Sequence, residues 1–176
     1  KGVVFIPVVG SRASGKTLFL SALRMLNPHL GALYIGGNTP PDAHKIRQLC
    51  ESVQDPEKTL ILSDDLAYIP AAAQQVLLEL GPRFRAVWVA YTPWARWHSS
   101  PILTALSGCS RAVLLAPASI SDGDICSLHE IPRDMYTEGM LPAGRGALVD
   151  AGRVQAFQVP DAVYQSAHDA VQAYKA

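Results

Sequence analysis

The sequence predicts an α/β fold, a mostly parallel sheet flanked by helices with a C-terminal β-hairpin. Short apolar, β-branched runs alternate with stretches of helical period through most of the chain, and each crossover of that kind returns the chain to the same sheet. After Gly146 the rhythm changes to strict two-residue alternation. Val3 to Val9 forms the first strand, followed by a glycine-containing turn and a helix that Asn27-Pro28 ends. Ala32 to Ile35 is a second strand closing on Gly36-Gly37. Pro41 opens a helix that runs to about Val53 and is broken by Asp55-Pro56. Thr59 to Ser63 is the third strand, Ala71 to Leu80 a helix ended by Gly81-Pro82, and Arg85 to Tyr91 the fourth strand. Ile102 to Leu106 reads as a short helix, Ala112 to Ala116 as the fifth strand, and Asp122 to His129 as a short helix or turn. The last strands fold about Asp150-Ala151-Gly152 as a hairpin. Residues 161–174 read as an amphipathic helix with Ala162, Val163, Ala167, Ala170 and Val171 on one side. Residues 1–160 therefore make one domain, and residues 161–176 a terminal helix packed on it or extending from it.

Composition narrows the function. The chain has 176 residues, of which 49% are hydrophobic and 17% charged, enough for one ordinary globular core. Fifteen Lys and Arg balance fifteen Asp and Glu. Nucleic-acid binding draws most of its affinity from cations on phosphates, and here the basic residues are scattered, so DNA and RNA are disfavoured as partners. Cys50, Cys109 and Cys126 form neither a CxxC pair nor a disulfide framework, which fits a reducing compartment. No apolar run approaches the roughly 20 residues that span a bilayer. A start at Lys1 without Met is expected of a piece of a longer protein.

The sharpest motif is Gly10-Ser11-Arg12-Ala13-Ser14-Gly15-Lys16-Thr17, which is GxxxxGK[ST] set between an apolar strand and a helix. Its four fixed positions would occur by chance in such a chain with a probability of roughly one in a hundred or less. Glycines allow a tight loop whose N–H groups converge on phosphate, the following helix presents its positive end to the same anion, and the candidate nucleotide-binding residues run from Gly10 through Thr17 to Leu18. Lys16 would bridge the β- and γ-phosphates of ATP, and the Thr17 hydroxyl would ligate Mg²⁺. A helix-capping turn that binds nothing is the bland alternative, and a loop that binds without catalysing is the more serious one. The matching carboxylates stand at the end of the third strand, in Leu62-Ser63-Asp64-Asp65. Asp64 would hold Mg²⁺ through water and Asp65 orient or deprotonate the attacking water. A solvated helix cap is the alternative for this pair.

The other residues carry less. His29, His44, His98, His129 and His168 lack zinc spacing, and no GxSxG elbow is present. Trp88 belongs to an apolar strand and reads as core. For Trp94 and Trp97, beside Pro93 and Arg96, a partner surface and simple packing both stand.

Taken together, the motif order resembles the FtsK/SpoIIIE superfamily of P-loop motors. Leu62-Ser63-Asp64-Asp65-Leu66-Ala67 is similar to its strand ending in Asp-Glu-Phe-Ala, with Asp65 where a catalytic Glu usually stands. Val89-Ala90-Tyr91-Thr92-Pro93 resembles Ala-Thr-Gln-Arg-Pro, with Thr92 at the place of the γ-phosphate-sensing Gln. Ser110-Arg111-Ala112-Val113-Leu114 resembles Thr-Arg-Ile-Ala-Phe, which implies an inter-subunit or structural role for Arg111. Pro142-Ala143-Gly144-Arg145-Gly146 resembles the closing Gly-Arg-Gly segment. Pro101 to Leu106, Cys109-Ser110-Arg111, the acidic Ser121-Asp122-Gly123-Asp124 and Leu141 to Gly146 further resemble the C-terminal ATPase domains of EccC, the motor of type VII (ESX) secretion. That resemblance implies a RecA/FtsK-like P-loop NTPase module binding ATP and Mg²⁺. It places the module on the cytoplasmic side of the membrane, in a longer membrane-anchored protein, with other ATPase domains and a secreted substrate protein as partners. Asp65 for Glu, Thr92 for Gln and Gly123 for an inter-subunit Arg each weaken turnover, so binding with weak hydrolysis is expected. The competing classes are an FtsK-like DNA-translocating ATPase, which calls for a cationic surface, and a small P-loop phosphotransferase, which calls for an arginine-rich lid. The segment after the fifth strand is too acidic for such a lid.

Overall fold

The computed structural model describes residues 4–10, 14–36, 41–92, 99–115 and 145–175. The segments expected at Asp122 to His129 and around Trp94 and Trp97 lie outside them, as do Ser11, Arg12 and Ala13 of the loop. The elements are β1 (Phe5–Gly10), α1 (Lys16–Leu26), β2 (Gly31–Ile35), α2 (Ala43–Glu51), β3 (Thr59–Ser63), α3 (Ala71–Leu80), β4 (Ala86–Tyr91), α4 (Pro101–Leu106), β5 (Arg111–Leu115), β6 (Arg145–Asp150), β7 (Arg153–Gln158) and α5 (Asp161–Lys175). Single 3₁₀ turns at Pro56–Lys58, Leu66–Tyr68 and Gly81–Arg83 join some of them.

Helix boundaries follow capping chemistry. α2 begins two residues later than Pro41 because Asp42 is its cap, its carboxylate accepting the Lys45 N–H at 2.8 Å. α4 starts at Pro101, the first helical position where a missing N–H costs nothing, and Ser100 caps it by accepting from Leu103 N.

The seven strands lie in the order β2-β3-β4-β1-β5-β6-β7. The first five are parallel, and β6 and β7 extend the sheet antiparallel beyond β5. The hairpin is thus part of the main sheet. Its two-residue turn has positive φ at Ala151 and Gly152, the handedness that matches strand twist.

Alternate residues of the buried strands face two cores. On one face Val9, Ile61, Val87, Val89 and Leu114 pack under α2, α3 and α4, through Ile46, Leu77 and Ile102 among others. On the other, Ile6, Val8, Leu60, Leu62 and Val113 pack under α1 through Leu20, Phe19 and Leu23. Half-buried Trp88 belongs to this second core, its ring 6.1 Å from that of Phe19 in an edge-on arrangement. α5 lies outside α1. Its inward face corrects the sequence reading: Ala162 and Ala170 are exposed, while Val163, Tyr164 and the fully buried Ala167 pack toward Ala22, Phe19 and Val159. Alanine contributes little apolar area, so the larger Val and Tyr decide which side turns inward.

No helix among the described residues is long and apolar enough to cross a membrane.

Candidate functional site

Parallel strands bring their C-terminal ends to one edge of the sheet, the usual place for ligands in open α/β folds. Three ends matter here. Gly10 closes β1, Asp64 and Asp65 follow β3, and Thr92 follows β4. Because β4 lies between β1 and β3, Thr92 emerges between the loop and the acid pair.

The loop is shaped by its two fixed glycines. A Cβ on Gly10 would collide with Ser14 Oγ and press on the Leu115 carbonyl oxygen at 3.3 Å. Gly15 has φ 92°, a left-handed conformation that only glycine adopts without strain, and it stands at the N-cap of α1. α1 therefore begins with no side-chain cap and with no acidic residue in its first turn. α2 and α4, in contrast, are capped by Asp42 and Ser100. A positive helix end without a side-chain cap is thus left at the helix that follows the glycine loop, as it also is at α3 after Pro70.

Lys16 is the first residue of that helix and is buried, at 8% exposure. Its ammonium donates to the Gly10 carbonyl at 3.0 Å, back onto the loop that carries it. Burial pulls the Lys16 pKa below the usual lysine value, and the nearby carboxylates of Asp65 and Asp64 oppose that shift without cancelling it. A buried cation held between its own backbone and two acids gains from an anion delivered to it.

Thr17 and Asp64 meet directly. The Thr17 hydroxyl donates to Asp64 Oδ2 at 2.8 Å across 47 residues of sequence, and the Tyr34 hydroxyl donates to the same oxygen at 2.6 Å. The Asp64 N–H donates to the Ile35 carbonyl at 2.8 Å, which fixes the carboxylate at the end of β2 as well as β3. A hydroxyl and a carboxylate are hard oxygen donors, and Mg²⁺ is usually held by one or two such protein groups plus phosphates and water. The residues present fit that ion. Asp65 takes φ 43° without being glycine, a conformation that Asp tolerates better than most residues but still at a cost of about 1 kcal/mol. Its negative charge acts on Lys16 more strongly than that of Asp64.

Tyr34 has no counterpart in the sequence reading. A lone tyrosine in a strand carries no signature, and only the register that pairs Ile35 with Ser63 brings it beside Asp64. Gln74 was equally silent. It is 5% exposed; its Nε2 donates to the carbonyls of Ile69 and Leu66 at 3.0 and 3.5 Å, and its Oε1 accepts from Ser100 Oγ at 2.7 Å and Ile102 N at 3.2 Å. It ties the turn after Asp65 to the start of α4.

Of the remaining candidates, Thr92 is half-buried at the end of β4, and Leu18 is half-buried on the first turn of α1. Arg111 donates to Asp150 Oδ2 at 3.1 Å as a cross-strand pair between β5 and β6. Trp94, Trp97, Ser11, Arg12 and Ala13 lie outside the described residues.

No protein-family model matches the chain, and no curated protein matches it significantly.

Proposed function

We propose that the chain is a P-loop NTPase module of RecA/FtsK type that binds ATP with Mg²⁺ and hydrolyses it weakly. The observation that carries this reading is the meeting, at one edge of the sheet, of an uncapped helix start bearing Lys16 and Thr17 with Asp64 at 2.8 Å from the Thr17 hydroxyl. Loop glycines, lysine, hydroxyl and strand-end carboxylate are the parts that phosphoryl-group binding uses. Bound phosphates would replace the Gly10 carbonyl as the partner of the Lys16 ammonium. Mg²⁺, when bound, supplies charge neutralisation and orientation of the phosphates, and Thr17 and Asp64 are the groups to hold it. Asp65, across from Lys16, is the candidate to orient a water, and Thr92 emerges where a group sensing the terminal phosphate belongs. A shorter acid and a hydroxyl in these two roles favour binding over turnover.

The finer assignment rests on the sequence resemblance. It makes this a module of the type VII secretion motor EccC, carried on the cytoplasmic side of the membrane by a longer anchored protein and working with other ATPase domains on a secreted substrate protein. ATP titrations with and without Mg²⁺, on the wild type and on Lys16→Ala, with phosphate release followed in the same samples, test the biochemical core. The expected result is Mg²⁺-dependent binding that Lys16→Ala weakens by at least about tenfold, with slow release. Absence of wild-type binding overturns the reading. Rapid turnover that Asp65→Asn abolishes overturns its weak-hydrolysis part.

A further inference from the structure

We propose that Tyr34 decides which divalent ion the site accepts: by engaging one oxygen of Asp64 it confines that carboxylate to its other oxygen and so favours Mg²⁺ over the larger Ca²⁺. This rests on reading Thr17 and Asp64 as the ion-holding pair of a phosphate site. A carboxylate oxygen offers two lone pairs to donors. At Asp64 Oδ2 both are taken, one by the Thr17 hydroxyl at 2.8 Å and one by the Tyr34 hydroxyl at 2.6 Å. Among the described residues none donates a hydrogen bond to Asp64 Oδ1, which leaves that oxygen for an ion or its water.

The backbone builds this restraint. Half-buried Tyr34 lies opposite Leu62 in the β2–β3 ladder, and the Asp64 N–H donates to the Ile35 carbonyl at 2.8 Å, so β2 grips the main chain and the side chain of Asp64 together. Gly36 makes the approach possible: a Cβ there would stand 2.9 Å from the Asp64 Cβ and 3.5 Å from the Tyr34 ring. The carboxylate has to break the Tyr34 bond before it can present both oxygens to one ion. Ca²⁺ takes roughly six to eight oxygen ligands and often a carboxylate through both of its oxygens, whereas Mg²⁺ is smaller, demands a near-octahedral shell and keeps several of its waters. A rigid acid with one oxygen to offer suits Mg²⁺ and leaves Ca²⁺ short of a ligand. Partners of this kind orient an ion-holding group and tune its affinity without touching the ion.

The test is calorimetric titration of ATP into the wild type and Tyr34→Phe, each in Mg²⁺, in Ca²⁺ and in EDTA, the last reading the loop without an ion. The wild type is expected to bind ATP more tightly in Mg²⁺ than in Ca²⁺. Loss of an orienting partner weakens metal binding by about 10–100-fold, so Tyr34→Phe should lose at least about tenfold in Mg²⁺. In Ca²⁺ it should lose little, because the released Oδ2 becomes available as a second ligand, and the preference between the ions should fall by about tenfold. Should melting show that Tyr34→Phe is unfolded, Tyr34→Met carries the same comparison. Equal wild-type affinity in the two ions, a folded variant that keeps the wild-type preference, or one that changes all three conditions alike overturns the role of Tyr34 and leaves the ion site standing. Wild-type affinity that is the same in Mg²⁺ and in EDTA overturns the ion pair, and absence of ATP binding in every condition overturns the phosphate reading as well.

Discussion

Replacing Gln74 by Met tests whether a single buried amide organises the region behind the acid pair. Methionine matches glutamine in length and volume, so the loss is polar and no cavity is opened. Ser100 Oγ keeps a bond to Leu103 N, and the Leu66 carbonyl keeps the Ile69 N–H at 3.1 Å. The uncompensated groups are the N–H of fully buried Ile102 and the Ile69 carbonyl. A buried donor left without a partner costs about 1–3 kcal/mol and the lost acceptor bond about 1 kcal/mol, so the variant should be destabilised by about 3 kcal/mol. At about 2–4 °C per kcal/mol for a chain of this size, the melting temperature should fall by about 6–12 °C. Urea titrations followed by circular dichroism, alongside thermal melts, should show the midpoint moving with an unchanged slope. A second consequence is functional. With the Leu66 to Ile69 turn untied, Asp65 loses the support that holds its left-handed backbone, and residual phosphate release should fall further than ATP affinity. A melting temperature within about 2 °C of wild type would refute the assignment of Gln74 as a structural tie.

Further outcomes follow from the same geometry. Lys16→Met should abolish triphosphate binding while raising the stability of the ligand-free protein, because it removes a buried charge. The folded chain holds the Lys16 proton less tightly than the unfolded chain, so stability rises with pH between the depressed pKa and the ordinary lysine value of 10.5; melts in alkaline buffers should lose that rise in Lys16→Met. Bound phosphate favours the charged lysine, so ATP affinity should weaken as pH climbs through the same interval. Tyr34→Phe removes a 2.6 Å bond to a half-buried carboxylate and should cost about 1–2 kcal/mol in urea titrations, with a changed Mg²⁺ dependence of ATP binding as the functional readout. Arg111→Ala should cost less than about 1 kcal/mol, since the side chains of Arg111 and Asp150 are 36% and 50% exposed. A loss of several kcal/mol would show a buried role that the pair does not have.

Much of this arrangement was legible from residue order alone, and the limits have physical causes. A glycine loop between a strand and a helix, and an acid pair closing an apolar strand, are local patterns, so Lys16, Thr17 and Asp64 were visible as candidates before any strand was paired. Tyr34 and Gln74 were not. Their roles depend on which strands and helices become neighbours, and a tyrosine in a strand or a glutamine in an apolar helix looks the same whether or not a partner awaits it. The face of α5 is only partly legible for a related reason: three small alanines, Ala162, Ala167 and Ala170, set a period, and of that face Val163 and Ala167 do turn inward, but the neighbouring α1 also selects Tyr164, whose burial is worth more than that of Ala162 or Ala170. Strand order was invisible too: Thr92 was a candidate only through the resemblance, and its emergence between the loop and the acids comes from β4 lying between β1 and β3.

The central position of β1 also bears on the order in which the chain can assemble during synthesis. β2, β3 and β4 are close in sequence and pair with one another, so they can form a sheet as soon as residue 91 is available. β1 has no neighbour close in sequence, since Phe5 pairs with Val87 on β4 and Val8 with Val113 on β5. Contacts that distant in sequence close late, after the entropy of the intervening chain has been overcome. The earliest-made strand of this domain is therefore inserted beside a sheet half, β2-β3-β4, that can already be built. The Gly10–Thr17 loop at its end gains its geometry only with that insertion, so any ligand the loop takes must wait for β1 to pair.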